Sequence, residues 1–276
     1  MAHDNPFKQL VGLFGLLCFL AVLPGCHMNA YQPFEIDQFS QRENAIQLTF
    51  LTSKGVQVAF YIPPKKDAQS MPNPLVMVYP GIGGRALEWL SFVENATSLQ
   101  AGYLLLDYPG RGLSEGLMRP RDLPQTSRGA LEALEKHLHV DQTALQQNIC
   151  QWGHSFGCAA ALQYAQEIPV KRIVLFAPFT TLHKAMFKMM GPLAYLNPDS
   201  IDNRQLIKIL LSRAHPPEIT IIHGTLDETI PVEMARELAL IDDEHIRYFE
   251  IPNETHMSIL ETHRDIAYNA LISNSP

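Results

Sequence analysis

Ser155 carries the first sign of chemistry. It lies in Ile149-Cys150-Gln151-Trp152-Gly153-His154-Ser155-Phe156-Gly157, a G-x-S-x-G motif led by a short apolar run. Cys158-Ala159-Ala160-Ala161-Leu162 follows, small and apolar. This order predicts a buried strand that turns sharply into a helix, with the serine on a strained turn and its hydroxyl projecting off the sheet. A side chain at Gly153 or Gly157 would crowd neighbouring backbone at such a corner. The helix that begins here aims its N-terminus at the serine, which favours developing negative charge. An ordinary strand–turn–helix with a surface serine could also carry the motif, so the rest of the chain has to decide.

The 276 residues are 46% hydrophobic and 18% charged, enough to bury the core of one large α/β domain. Net charge is -7 with no basic block, which disfavours nucleic acid as the main partner, because phosphate binding needs clustered Lys and Arg. Of the four cysteines, Cys18 and Cys26 fall near the N-terminus, and Cys150 and Cys158 flank the serine. The latter two read as small buried apolar residues. No metal-ligand spacing occurs, and nothing in the sequence calls for a cofactor.

Leu10 to Leu23 is almost wholly apolar and ends in Leu23-Pro24-Gly25-Cys26. The run is short for a membrane span and suits the apolar region of an export signal. The small residue followed by cysteine resembles the lipobox of bacterial lipoproteins. That resemblance implies a signal peptide over 1–25, lipidation of Cys26 and an exported protein held at a membrane. A signal anchor and a plain secretory peptide are the alternatives. Residues 26–45 read as a tether.

The elements that must position Ser155 follow in order. Ala45–Leu51 and Val56–Ile62 read as an antiparallel hairpin. Leu75–Tyr79, Tyr103–Asp107, Asn148–Trp152, Arg172–Phe176, Glu218–Ile222 and Ile246–Ile251 read as further strands, the continuous apolar runs among them suiting strands covered on both faces. Helices are expected over Glu88–Gln100, Ser127–Leu138, Phe156–Glu167 and Ser258–Ile272. Alternating strands and helices imply a mainly parallel sheet with helices on both faces. Between two strands, 179–216 breaks the alternation. It reads as two helices, Thr181–Met190 and Asp202–Ala214, and as a small cap at the carboxyl edge, where ligands bind in open α/β sheets.

With these elements laid out, residues 46–276 resemble the α/β-hydrolase family. Gly153-His154-Ser155-Phe156-Gly157 is similar to its nucleophile elbow. Tyr79-Pro80-Gly81-Ile82-Gly83-Gly84 resembles its glycine-rich oxyanion loop, and Asp107-Tyr108-Pro109-Gly110-Arg111-Gly112-Leu113-Ser114 its D-x-x-G-x-G-x-S loop. His223-Gly224-Thr225-Leu226-Asp227-Glu228-Thr229-Ile230-Pro231 resembles the segment with the acid, and Asn253-Glu254-Thr255-His256 the loop with the base. Ser, Asp and His occur in the order this fold uses.

The resemblance implies Ser155 as nucleophile, His256 as base, Asp227 as the acid that orients it, and the amides of Ile82 and Phe156 as oxyanion donors. Glu228 is the rival acid. Among the other histidines of the 11 in the chain, His154 reads as pointing elsewhere, His223 as satisfying a local bond, and His263 as a surface residue. Asp107 and Ser114 read as organisers of a loop near the site. Met186, Phe187 and Met190 either wall an acyl chain or pack the cap onto the core. The implied activity is hydrolysis of a small-molecule or lipid ester, with thioester, amide or peptide substrates open on the same fold. An acyltransferase and a non-catalytic lipoprotein of this fold are the rivals.

Overall fold

The computed structural model describes residues 45–68, 70–94 and 100–272. The apolar N-terminal run, Cys26 and the tether up to residue 44 lie outside them. In chain order the labelled elements are β1 (Ile46–Thr52), β2 (Gly55–Ile62), β3 (Leu75–Tyr79), α1 (Leu90–Glu94), β4 (Gly102–Leu106), α2 (Leu123–Leu138), α3 (Gln142–Gln146), β5 (Ile149–His154) and α4 (Phe156–Ala165). They continue with β6 (Arg172–Phe176), α5 (Leu182–Met190), α6 (Asn203–Leu211), β7 (Glu218–Gly224), α7 (Val232–Ala239), β8 (Ile246–Ile251), α8 (Ser258–Thr262) and α9 (Arg264–Ile272).

The strands form one eight-stranded sheet in the order β1-β2-β4-β3-β5-β6-β7-β8. β1, β2 and β4 pair antiparallel, and every later pairing is parallel. All the parallel strands therefore present their carboxyl ends at one edge. β5 sits inside the sheet between β3 and β6, so the serine that follows it stands near the middle of that edge.

Successive side chains of a strand point to opposite faces, so each central strand feeds two cores. Leu75, Met77 and Tyr79 of β3 join Leu104 and Leu106 of β4 against α2 and α4. Val76 and Val78 join Tyr103 and Leu105 on the other face, against α1 and α9. On that second face Trp152 packs edge-on against Trp89 and Tyr268, both ring centroids at 5.7 Å. Such pairs contribute about 0.5–1.5 kcal/mol each beyond area burial. They fasten the segment after the β3 loop and the last helix to the strand that carries the serine. The two free thiols divide the same way, Cys150 into the second core and Cys158 into the first, both buried.

The expected strands all form, each within about two residues of its expected bounds. The helices differ more. Of the helix expected over Glu88–Gln100, the described part is a 3-10 turn, Ala86–Trp89, running into α1, and 95–99 lie outside the described residues. α2 starts early, at Leu123, where Pro124 suits a first turn whose N–H groups have no intrahelical partner. The last helix is split at His263, whose Nε2 lies 3.5 Å from Glu254 Oε1. α3 and α7 are absent from the sequence reading. α7 is short, and Val232, Ala235 and Leu238, three apart, are what bury it.

The helical connection from β6 to β7 has two parts with different jobs. α6 lies on α4, with Ile207 and Leu210 fully buried and Gln166 Nε2 donating to the Leu206 carbonyl at 3.2 Å. It is an ordinary crossover helix on the sheet. α5 and the 3-10 turn Gly191–Leu196 stand at the carboxyl edge instead.

Candidate active site

The turn after β5 is as tight as the motif predicts. Ser155 has φ 55° and ψ -119°, a conformation that side chains rarely adopt. Two hydrogen bonds hold it: its amide donates to the Phe176 carbonyl at 2.8 Å, and its carbonyl accepts from the Cys158 amide at 3.0 Å. A Cβ on Gly157 would lie 2.0 Å from the Tyr79 carbonyl oxygen, and one on Gly153 would lie 2.6 Å from the Gly157 oxygen. Both are backbone atoms that cannot step aside, so strand, elbow and β3 loop are locked together by the absence of side chains. α4 is apolar all round and buried, as a helix packed between a sheet and its neighbours has to be.

The loop after β3 closes over the elbow. Gly84 donates to the Gly81 carbonyl at 2.9 Å, making a turn with Ile82 at its tip. Arg111 Nε donates to the Ile82 carbonyl at 3.1 Å. A Cβ on Gly81 would stand 3.7 Å from Ser155 Cβ, which fixes how near the loop comes to the serine. The Phe156 amide is at the first position of α4, among those with no acceptor in their own helix. Asp107 organises the scene from below. Its buried carboxyl accepts from the Ala86 amide at 2.7 Å and the Leu113 amide at 3.1 Å, and Ser114 Oγ accepts from the Val58 amide at 2.9 Å. Burial pushes the Asp107 pKa up to about 6 despite those two donors.

The loops after β7 and β8 are tied to each other. Leu226 donates to the Glu254 carbonyl at 2.9 Å and Thr225 to the Ile251 carbonyl at 3.0 Å. This brings Asp227 and His256 face to face. His256 Nδ1 donates to Asp227 Oδ2 at 2.7 Å. With a proton on Nδ1, the neutral ring presents Nε2 as a free acceptor. Asp227 Oδ1 accepts from the Thr229 and Ile230 amides, both at 2.8 Å. Burial by itself would raise the Asp227 carboxyl, but the donors His223, His256 and Ile230 outweigh it and hold the group well below the usual carboxylate range. Glu228, next in the chain, is exposed. No hydrogen bond joins Ser155 Oγ to His256 among the described residues.

Two histidines belong to this cluster beyond what the sequence indicated. His154 does not point elsewhere: its Nε2 donates to the His256 carbonyl at 3.0 Å, and the two rings are 4.6 Å apart. Burial, then the charge of His256, bring its pKa down to about 3, so it is neutral and serves as a fixed donor. His223 Nε2 lies 3.0 Å from the Ile230 carbonyl and 3.1 Å from Asp227 Oδ2, so its bond reaches the acid as well as its own loop. The signal for both was position: each sits at the carboxyl end of an inner strand, His154 directly before Ser155 and His223 four residues before Asp227.

A small apolar recess of about 10 Å³ adjoins the serine. Its lining is Ser155, Phe156, Phe179, Leu182, Ala185, Thr229 and Ile230. The expected wall of Met186, Phe187 and Met190 does not line it. Leu182 and Ala185, three apart, share the helix face that meets the serine, whereas Phe187 is turned about 200° from Ala185. Phe187 is 46% exposed and meets Tyr195 at 6.0 Å instead. Met186 is fully buried beneath the helix, its Sδ accepting from Asn197 Nδ2 at 3.3 Å. Met190 packs, partly buried, on the core below. Phe187→Glu is therefore expected to leave the ratio of long-chain to short-chain ester turnover within about twofold of wild type, as surface changes do. Rate measurements on two chain lengths check it.

The sheet order, the elbow and the loop ties define the α/β-hydrolase class. Residues 74–205 match the family described as alpha/beta hydrolase fold. By its sheet order and by this match the chain has the α/β-hydrolase fold. It is 28% identical over 186 residues to an uncharacterized protein of Mycobacterium tuberculosis, 67% of this chain and 63% of the relative's length. The chain thus spans less than two thirds of that curated relative. Among solved structures, an esterase of Pyrococcus furiosus superposes with TM-score 0.62 at 12% identity, covering 86% of this chain and 91% of that one. A Rhodococcus esterase gives 0.60 at 12%, covering 84% and 100%. The esterase domain of a Rhodothermus marinus protein gives 0.55 at 16%, covering 83% and 95%. At these identities the likeness is one of fold.

Proposed function

We propose that this protein is a serine hydrolase that cleaves a carboxylic ester through an acyl-enzyme. The observation that carries the reading is the His256–Asp227 hydrogen bond at 2.7 Å, made between two loops beside a serine on a strained elbow. Ser155 Oγ attacks the ester carbonyl while His256 Nε2 takes its proton. Apo sites often hold this contact long, and it tightens with substrate. Asp227 keeps the imidazole in the Nδ1–H tautomer and stabilises the imidazolium. The amides of Phe156 and Ile82 receive the oxyanion, preorganised by the helix start and the Gly81–Gly84 turn. The imidazolium then protonates the departing alcohol. Water, deprotonated by His256, attacks the acyl-enzyme and releases the acid and Ser155. A short-chain fluorophosphonate is the direct test: adduct formation on Ser155, mapped by mass spectrometry, is expected, and an unmodified serine overturns the reading.

In this proposal residues 46–276 form the hydrolase domain and α5 with its following 3-10 turn forms the cap. The chain is exported and held at a membrane by lipidated Cys26. What supports the anchor is the Leu10–Leu23 run and Leu23-Pro24-Gly25-Cys26. One acyl chain binds a bilayer reversibly, and two or more hold stably. Cys26→Ser is expected to leave an unprocessed precursor. A mature N-terminus elsewhere, without lipid, in the mass spectrum of the wild-type protein refutes the anchor.

A further inference from the structure

The loop after β3 carries Gly81, Gly83 and Gly84 around Ile82. Glycine backbone is permissive, so the direction of any one amide in such a loop has to be imposed from outside it. We propose that the loop after β4 imposes it, with Arg111 as a positioning residue that holds the Ile82 amide where the oxyanion forms. The inference rests on Ser155 being the nucleophile.

The successive carbonyls of Pro80, Gly81 and Ile82 are all taken. Tyr108 Oη donates to the Pro80 carbonyl at 2.8 Å. The Gly84 amide donates to the Gly81 carbonyl at 2.9 Å. Arg111 Nε donates to the Ile82 carbonyl at 3.1 Å. The Ile82 amide belongs to the Gly81–Ile82 peptide, so that peptide and both of its neighbours are held. The amide itself makes no hydrogen bond among the described residues. A held donor with no acceptor of its own suits a developing oxyanion, because nothing has to reorganise when the charge appears.

The loop that does the holding is bonded to itself. The Arg111 amide donates to the Tyr108 carbonyl at 2.8 Å, and the Arg111 carbonyl accepts from the Ser114 amide at 2.9 Å. Arg111 Nη1 donates to the Gly110 carbonyl at 3.2 Å, which fixes the guanidinium plane. At the foot of the loop, Asp107 accepts from the Ala86 amide at 2.7 Å and so holds the chain beyond the glycines too. Tyr108 is buried, and its ring meets Phe156 edge-on at 6.1 Å. Phe156 carries the other proposed oxyanion donor, so both donors lean on one loop. Arg111 is the hold that is charged and only half-buried, so it can be changed without opening the core.

The test uses the full-length protein and p-nitrophenyl acetate. Arg111→Met keeps the length of the side chain and has no donor. Removing an oxyanion donor outright costs about 10²–10³ in kcat, and an amide left in place but unheld is expected to cost about 10–100-fold. KM is expected to stay within about twofold, because the lost contact acts only in the transition state. Glutamine carries a nitrogen at the same number of bonds from Cα as arginine Nε. Arg111→Gln is therefore expected to recover most of the loss, although the charge is gone. A trifluoromethyl ketone gives a second readout. Ser155 Oγ adds to its carbonyl carbon, the hydroxyl proton passes to His256, and the carbonyl oxygen becomes the oxyanion. Its Ki is expected to rise in Arg111→Met by the factor that kcat/KM falls, since the tetrahedral adduct is what the held amide binds.

Endpoint labelling by a fluorophosphonate accompanies each assay. A wild type that fails to label at Ser155 overturns the nucleophile and the clamp together. Where labelling is intact, an Arg111→Met protein with wild-type kcat and Ki overturns the clamp and leaves the serine mechanism standing. A defect in KM alone does the same, because it places Arg111 against the substrate. So does an Arg111→Gln protein as poor as Arg111→Met, because it makes the charge the active feature and not the bond to Ile82. If Arg111→Met does not keep the wild-type melt, Tyr108→Phe carries the test. It loses one hydroxyl and keeps the ring. The same split of kcat from KM is expected, and unchanged kcat and Ki overturn the clamp.

Discussion

Ser155→Ala is expected to abolish fluorophosphonate labelling and to cut ester turnover by on the order of 10⁶. In the proposed mechanism the removed hydroxyl is the group that forms the covalent bond, and no other hydroxyl stands on the elbow. Alanine keeps one methyl at a position with φ 55°, so the strain is unchanged and the fold is expected to persist. His256→Ala is expected to be nearly as severe. Base and nucleophile act as one unit, so the double variant is expected to lose little beyond either single one. Two controls bound the result. Glu228→Gln alters an exposed residue, and His263→Ala removes a partly exposed partner of Glu254, so each is expected to stay within a few-fold of wild type. Matching thermal melts are required for the comparison. A folded Ser155→Ala protein with full esterase activity refutes the mechanism.

Asp227→Asn is expected to lower kcat by about 10⁴ while leaving His256 in place. An asparagine can face His256 with its amide, which forces the proton of the ring onto Nε2 and removes the acceptor that Ser155 needs in the proposed mechanism. The bond from His223 suffers too, because Asp227 Oδ2 receives both histidines. His223→Leu keeps the acid but removes one of its donors, so a loss of about 10–100-fold is expected, as for other orienting partners. The same substitution at Asp227 has a stability signature. The folded carboxyl is held below its ordinary value, mainly by donors that outweigh burial. A depressed acid stabilises the fold at pH above its unfolded pKa of about 3.9 and loses that contribution as pH falls through the folded value. Wild type is therefore expected to lose stability on acidification below about pH 4 more steeply than Asp227→Asn. Denaturant titrations at pH 3 and pH 6 read the difference. Equal pH dependence in the two proteins would show that the carboxylate is not held by these bonds.

Much of the architecture was legible in the sequence, for local reasons. Leu75–Tyr79 is apolar at every position, which only a strand covered on both faces explains. Gly153 and Gly157 flank Ser155 at a spacing that only a tight corner needs, and the clashes a Cβ would meet there are with backbone. The helices were less legible where they are short. α3 and α7 span too few residues for a periodic pattern to stand out, and the break of the final helix at His263 is marked by no glycine or proline.

By itself, the sequence determined which residues could do chemistry and in what order they come. It carries the elbow, the glycine-rich loop, and Asp227 and His256 after the last inner strands. Tertiary structure alone decided which of them meet. Asp227 and His256 are 29 residues apart, and their bond depends on the ties between the loops after β7 and β8. Glu228 is excluded because its side chain leaves that loop on the solvent side. His154 and His223 joined the cluster because inner strands bring their carboxyl ends to one edge, a juxtaposition no spacing records. Of the two readings the sequence left open for Met186, Phe187 and Met190, packing on the core is the one that Met186 and Met190 follow. Methionine and phenylalanine suit an apolar ligand, but a helix presents one face to the serine, and that face holds Leu182 and Ala185. Where a helix axis lies over the sheet is set by packing across the whole domain, and this is the physical reason the sequence could supply the actors but not their partners.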